Sequence, residues 1–139
     1  DPKLEESARE LQNLFPDKIK AELRFDAALA RQIYAGADMI LMPSRYEPCG
    51  LAQMIAMRYG CVPIVRAVGG LKDTVIPKET GFVFEKAHHM SLVSAIKAAM
   101  KVLPDREKWE ALQLNGMAKD FSWKASALEY LKLYESLLK

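Results

Sequence analysis

The sequence has 139 residues, of which 50% are hydrophobic and 27% are charged, and its formal net charge is +2. This composition is typical of a folded globular domain, and the small net charge argues against nucleic acid or a charged membrane surface as a partner. No apolar run approaches the roughly 18 residues of a membrane span.

The start of the chain, Asp1–Glu6, has neither a Met nor a signal-peptide pattern, so we interpret the chain as a fragment or a processed product, in which a targeting segment of the parent protein would not be visible. We expect a protein that is not secreted. The two cysteines, Cys49 and Cys61, are too few for a disulfide framework and fit no zinc motif, which favours a reducing compartment. The adjacent His88 and His89 are interpreted as surface residues, and neither a metal nor a cofactor is expected.

Apolar periodicity predicts helices and strands that alternate along the chain. The predicted helices cover residues 3–14, 27–34 and 51–59, a short segment before Pro77, and residues 91–103, 105–119 and 123–138. The predicted strands cover residues 20–25, 39–42, 61–66 and 82–84. Met39–Met42 is expected to be buried on both faces, and Ser91 is expected to cap its helix. The alternation predicts an α/β fold with a parallel sheet of about four strands and flanking helices.

A turn between a predicted strand and a predicted helix is the main candidate site, and we call Pro43–Leu51 the Glu47 turn. Unpaired backbone N–H groups and the helix dipole favour anionic groups at such a position. From position alone, two interpretations of Glu47 are equally favoured: a carboxylate that stabilises the start of a helix, or a functional acid.

A second turn, at Gly69 and Gly70, follows the next predicted strand. Glycine there permits either a plain tight turn or the close approach of backbone to a ligand. Both turns are expected at the carboxyl edge of the sheet, where amide-rich turns suit a nucleotide diphosphate or sugar hydroxyls.

Several other chemistries have no support in the sequence. It contains no Gly-x-Ser-x-Gly elbow, no P-loop motif and no Gly-x-Gly-x-x-Gly fingerprint, and Cys49 has no histidine near it in sequence.

The motifs together resemble the bacterial glycogen synthase and plant starch synthase family. The resemblance covers nearly the whole chain, and the segments that carry it are the Glu47 turn and residues 34–38, 56–60, 63–66, 68–75 and 121–123. Its most specific part is Glu-Pro-Cys-Gly-Leu at 47–51, followed by Gly-Gly-Leu-Lys-Asp-Thr-Val at 69–75.

The resemblance implies a GT-B glycosyltransferase with a Rossmann-like lobe. Such an enzyme transfers glucose from ADP-glucose to the non-reducing end of an α-1,4-glucan with retention of configuration and without a catalytic metal. It also implies a cytoplasmic enzyme in bacteria or one of the plastid stroma in plants.

By position, Glu47 matches the acid beside the donor glucose, where it would stabilise positive charge as the glycosidic bond breaks. The donor-binding positions that the resemblance implies are Phe25, Cys49, Gly50, Leu51, Gly69 and Gly70. Phe25 would stack on the nucleobase, although an ordinary core aromatic is the alternative. For Cys49, the alternative is a small buried residue. Ile55 occupies the place where other glycosyltransferase families have a second Glu, which agrees with the glycogen synthase branch.

The resemblance also implies that this single domain is the later part of a C-terminal donor lobe, without the acceptor lobe. The Arg and Lys that clamp the donor phosphates in that family have no counterpart here, so we expect the isolated chain to have negligible transferase activity. Two alternatives remain open: a non-catalytic α/β fragment or chimera building block, and another nucleotide-sugar GT-B transferase.

Two segments raise the question of a missing partner. We expect residues 20–25 to move beside Met39–Met42 and give a flavodoxin-like order, because an open apolar edge would otherwise favour self-association. The stripe Leu128, Leu131, Tyr134 and Leu138 is expected to be apolar and exposed unless it packs on the sheet, the missing lobe or a second copy.

Overall fold

The structure is a computed structural model that describes residues 1–138. It is an α/β fold with a parallel sheet and helices around it. The helices are α1 (Pro2–Leu14), α2 (Ala27–Gly36), α3 (Ala52–Arg58), α4 (Gly69–Thr74), α5 (His89–Val102), α6 (Arg106–Met117) and α7 (Trp123–Leu137). The strands are β1 (Met39–Met42), β2 (Val62–Arg66) and β3 (Phe82–Phe84).

The sheet has the order β1-β2-β3, so each strand pairs with the next one along the chain. Both pairings are parallel, with Leu41 opposite Ile64 and Val65 opposite Val83. Parallel pairing brings the carboxyl ends of the strands to one edge. The Glu47 turn and the Gly69–Gly70 turn follow β1 and β2 at that edge.

The core lies on both faces of β2, because alternate side chains of a strand point to opposite faces. Val62 and Ile64 pack with Trp109 and Leu112 of α6 and Ala99 of α5. On the opposite face, Val65 packs with Met57 of α3 and with Leu71 and Val75 in and after α4. Burial on both faces, which was predicted for Met39–Met42, is instead found in the central strand β2.

The strand predicted at residues 20–25 is wrong, because these residues form no strand and the described sheet has three strands instead of about four. The alternation there buries nothing: Leu23 is 39% exposed and Phe25 is 95% exposed. The backbone N–H of Ala21 donates to Gln12 Oε1 instead of to a neighbouring strand. The flavodoxin-like rearrangement expected for this segment is therefore also wrong.

Two smaller predictions also fail. Met39–Met42 is an edge strand and only half-buried, with Leu41 47% exposed, because it has a single neighbour. Ser91 does not cap α5; the helix begins earlier, and His88 is the N-cap through its Nδ1, which accepts from Met90 N at 3.3 Å.

The chain divides into two compact units, residues 1–30 and 31–139. The first contains α1, which has no buried residue and is capped by Asp1. In the second, α7 likewise buries none of its residues, and Leu131 and Tyr134 are 52% and 60% exposed. The predicted exposed apolar stripe on α7 is confirmed. No helix of the described residues is long and apolar enough to cross a membrane.

Candidate functional site

The Glu47 turn and the glycine pair, Gly69 and Gly70, are in direct backbone contact. The Gly70 N–H lies 3.2 Å from Glu47 O and 3.3 Å from Pro48 O and donates to both. A Cβ at Gly69 would stand 1.9 Å from Glu47 O, and one at Gly70 would stand 2.0 Å from Cys49 O. Only glycine permits this approach, so the pair brings the two turns together rather than simply reversing the chain.

Glu47 is half-buried, and its carboxylate has few partners. Its Oε2 accepts a hydrogen bond from Ser44 Oγ at 3.2 Å. Within residues 1–138, no salt bridge includes Glu47. A carboxylate without a protein cation beside it keeps its negative charge available to a ligand that develops positive charge.

The residues after Glu47 present backbone and thiol groups at the surface. Cys49 is exposed, so the interpretation of it as a buried residue is wrong, and Leu51 is 65% exposed. Gly50 has φ +70°, a conformation that side chains other than glycine rarely adopt. Among the backbone hydrogen bonds of the described residues, none is donated by Gly50 or Leu51. Their N–H groups are therefore free to bind acceptor atoms of a ligand.

Gln53 is a functional candidate that the sequence analysis missed. It is fully buried, and its Nε2 lies 2.8 Å from Gly50 O, 3.0 Å from Thr74 Oγ1 and 3.2 Å from Cys49 O. It shares the buried face of α3 with Ala56 and Met57. In the sequence, the available signal for this role was a single polar residue on a helix face that is otherwise apolar.

Arg66 supports the other end of the Glu47 turn and was also missed. It ends β2, and its guanidinium donates to Ser44 O at 2.7 Å and to Arg45 O at 2.5 Å. The side chain thus fixes the backbone just before Glu47, which no local pattern in the sequence indicates.

The remaining predicted site residue, Phe25, lies in the first unit and is 95% exposed, so it is not a core aromatic. His88 and His89 are exposed, as predicted, and their ring centroids lie 4.2 Å apart. In the described part of the chain, no group of three or more His, Cys, Asp or Glu residues has a metal-binding arrangement.

The two thiols differ sharply in environment. Burial, with a smaller effect of the Asp38 carboxylate, raises the pKa of the Cys61 thiol to about 11. Cys61 is therefore a protonated core residue, whereas Cys49 stands exposed in the Glu47 turn.

Comparison with known proteins gives the family. Residues 5–112 match the family described as glycosyl transferases group 1, and this chain belongs to that family. A glycogen synthase of Thermodesulfovibrio yellowstonii is 48% identical over 134 residues, which are 96% of this chain and 27% of that protein. The chain thus spans less than a third of this relative.

Comparison with solved structures also gives glucan and sugar-phosphate synthases. The catalytic domain of starch synthase IV from Arabidopsis thaliana, bound to ADP and acarbose, is 38% identical with a TM-score of 0.85, over 98% of this chain and 30% of that one. A sucrose-phosphate synthase from Thermosynechococcus elongatus is 34% identical with a TM-score of 0.71, over 96% of this chain and 33% of that one. The predicted resemblance to glycogen and starch synthases is confirmed.

Proposed function

We propose that this chain is the sugar-facing part of the donor site of a glucan synthase. The complete enzyme would transfer glucose from ADP-glucose to the non-reducing end of an α-1,4-glucan with retention of configuration. One observation carries the proposal: the Gly69–Gly70 pair packs against the backbone of the Glu47 turn. Beside this contact lie the Glu47 carboxylate and the Gly50 and Leu51 amides, which have no salt bridge and no backbone acceptor, respectively, within residues 1–138.

Each element of this arrangement has a chemical task. The Glu47 carboxylate would orient the donor glucose and stabilise the positive charge that develops as the bond to the diphosphate breaks. Because Cys49, Gly50 and Leu51 present backbone groups at the surface, they suit glucose hydroxyls and a phosphate oxygen. Gly69 and Gly70 would lie near the diphosphate.

The relatives favour a glucan synthase over other nucleotide-sugar transferases. Identity is 48% to the bacterial glycogen synthase and 34% to the sucrose-phosphate synthase, over similar shares of this chain. The starch synthase neighbour was solved with ADP, which supports an adenosine diphosphate sugar as the donor. A bacterial relative at that identity favours the bacterial cytosol over the plastid stroma.

By the resemblance of its motifs, the chain would be the later part of the C-terminal donor lobe, and it covers 27% and 30% of the two relatives. It contains no counterpart of the cationic phosphate clamp or of the acceptor lobe. We therefore expect no measurable glucose incorporation into glycogen by this chain alone, and clear turnover would contradict this assignment of roles.

An NMR titration tests donor binding directly. ADP-glucose should shift the backbone resonances of Gly50, Leu51 and Gly70, whereas glucose alone should not at the same concentration. Glu47→Gln should weaken the response about tenfold, because a hydrogen bond to a charged group contributes roughly 1.5–3 kcal/mol.

Glu107→Gln is the matched control, since Glu107 is an exposed acid in the first turn of α6. It should titrate like the unsubstituted chain. Shifts confined to residues outside the two turns, or equal weakening by both substitutions, would refute the proposed site.

A further inference from the structure

The buried amide of Gln53 connects the two turns of the site through a side chain rather than through backbone alone. Its Nε2 donates toward the carbonyls of Cys49 and Gly50 and toward Thr74 Oγ1. The Thr74 hydroxyl in turn donates to Gly70 O at 2.6 Å. Since that hydroxyl proton is engaged, Thr74 Oγ1 acts as the acceptor for Gln53.

These bonds close into a ring. Gly70 N–H donates back to Glu47 O and Pro48 O, so the path runs from the Glu47 turn to α4, through Thr74 and Gln53, and back to the Glu47 turn. We call this the Gln53 ring. Its two side chains are Gln53, which is fully buried, and Thr74, which is half-buried.

The environment fixes the orientation of the amide. Three oxygen atoms surround Nε2, whereas Oε1 is buried and has no hydrogen-bond donor within residues 1–138. Reversing the amide would place Oε1 against two carbonyl oxygens that cannot donate. A buried carbonyl without a partner is destabilising, and the bonds from Nε2 offset that cost.

A threonine hydroxyl that bonds to the carbonyl four residues earlier is common in helices and needs no functional reason. The Gln53 contact distinguishes this case, because it joins residues that are 21 positions apart. Moreover, a Cβ at Gly50 would stand 2.7 Å from Gln53 Oε1, so the turn packs directly on the amide.

We propose that Gln53 and Thr74 are positioning residues for the donor site. They hold the free amides of Gly50 and Leu51, and the Glu47 backbone, at a fixed distance from the Gly69–Gly70 pair. This inference rests on the proposed function for its meaning in catalysis, but the mechanical link can be measured without any ligand.

Hydrogen exchange of the Gly70 amide, followed by NMR, reports on the ring, because that amide donates into the Glu47 turn. The Ala67 amide, which donates to Phe84 O at 2.8 Å, reports on the sheet beside it. Gln53→Met and Thr74→Val keep side-chain size but remove the link, so the exchange of Gly70 relative to Ala67 should accelerate about tenfold. Thr74→Ser, which keeps the hydroxyl, should restore the ratio to within about threefold.

Thr80→Val is the matched control for general destabilisation. Thr80 is 1% exposed, and its Oγ1 accepts from Ile76 N at 2.9 Å, away from the ring. This variant should accelerate both reporter amides alike. An unchanged Gly70/Ala67 ratio in Gln53→Met and Thr74→Val, or the same rise in Thr80→Val, would overturn the proposal.

The ADP-glucose titration separates this inference from the proposed function. If the unsubstituted chain binds the donor, Gln53→Met should weaken binding about tenfold more than Thr80→Val does, and equal weakening would overturn the positioning role. If the unsubstituted chain shows no response at the Glu47 turn, the proposed function fails, and the exchange ratio still decides whether the link exists.

Discussion

The close packing of Gly70 makes a quantitative prediction for Gly70→Ala. The new Cβ would meet Cys49 O at 2.0 Å, whereas real Cβ atoms essentially never come closer than 3.0 Å to such an atom. The backbone of one turn must therefore move by about 1 Å, and overpacking of this kind costs about 1–3 kcal/mol. The movement also weakens the Gly70 N–H bond to Glu47 O, which contributes about 1 kcal/mol.

A gain in the unfolded state partly offsets this loss. Replacing glycine by alanine in a helix stabilises by about 0.4–1 kcal/mol where the site has room. The net expectation for Gly70→Ala is a destabilisation of about 1–3 kcal/mol in urea unfolding followed by circular dichroism.

Gly36→Ala provides the control, because Gly36 ends α2 and a Cβ there meets nothing within 4 Å in the described part of the chain. It should leave the free energy of unfolding unchanged or raise it by up to about 1 kcal/mol. Equal unfolding midpoints for the two variants would show that the turns do not pack as closely as described.

Three further predictions concern titration and packing. Since burial raises the pKa of Cys61 to about 11, the unfolded chain loses this proton at lower pH than the folded chain. The free energy of unfolding should therefore fall as pH rises from about 8.5 to 11, and this fall should be smaller in Cys61→Ala. At pH 8 a thiol reagent should label Cys49 before Cys61, and equal labelling rates would contradict the assigned burial of Cys61. The hydrogen bonds from Lys108 lower the pKa of Asp105, which is the N-cap of α6. The Asp105 carboxylate therefore stabilises the fold above its unfolded pKa near 3.9, and this stabilisation is lost as pH falls through the lower folded pKa. Asp105→Ala should flatten the decline of the free energy of unfolding at acidic pH. Trp109 is 5% exposed and its Nε1 has no partner within residues 1–138, so Trp109→Phe should destabilise much less than Trp109→Ala, for which about 3–5 kcal/mol is expected.

The sequence was sufficient where a structural feature depends on neighbours along the chain. The Glu47 turn lies between a strand and a helix as predicted, and the α/β alternation gave the fold class because 3.6-residue and two-residue periods are local properties. The double glycine at Gly69 and Gly70 predicted either a tight turn or a close approach of backbone to a ligand. The structure shows that this partner includes the Glu47 turn itself.

The sequence was insufficient where a feature depends on distant pairing. Residues 20–25 alternate as a strand does, yet a strand needs a hydrogen-bonding neighbour, and the Ala21 N–H is bonded to Gln12 instead. Likewise, the bonds of Gln53 and Arg66 are to carbonyl groups brought to them by the fold; the polar residue on the apolar face of α3 pointed at most to Gln53, and nothing local pointed to Arg66.

The sequential strand order has a consequence for recombination between relatives. The groups described above that support the Glu47 turn, namely Gln53, Arg66, Gly70 and Thr74, lie within residues 39–75. An exchange of that block between family members transfers the turn together with its supports. A crossover between Gln53 and Thr74 would instead take the two side chains of the Gln53 ring from different parents, so chimeras joined there should lose the site geometry wherever one parent lacks the amide or the hydroxyl.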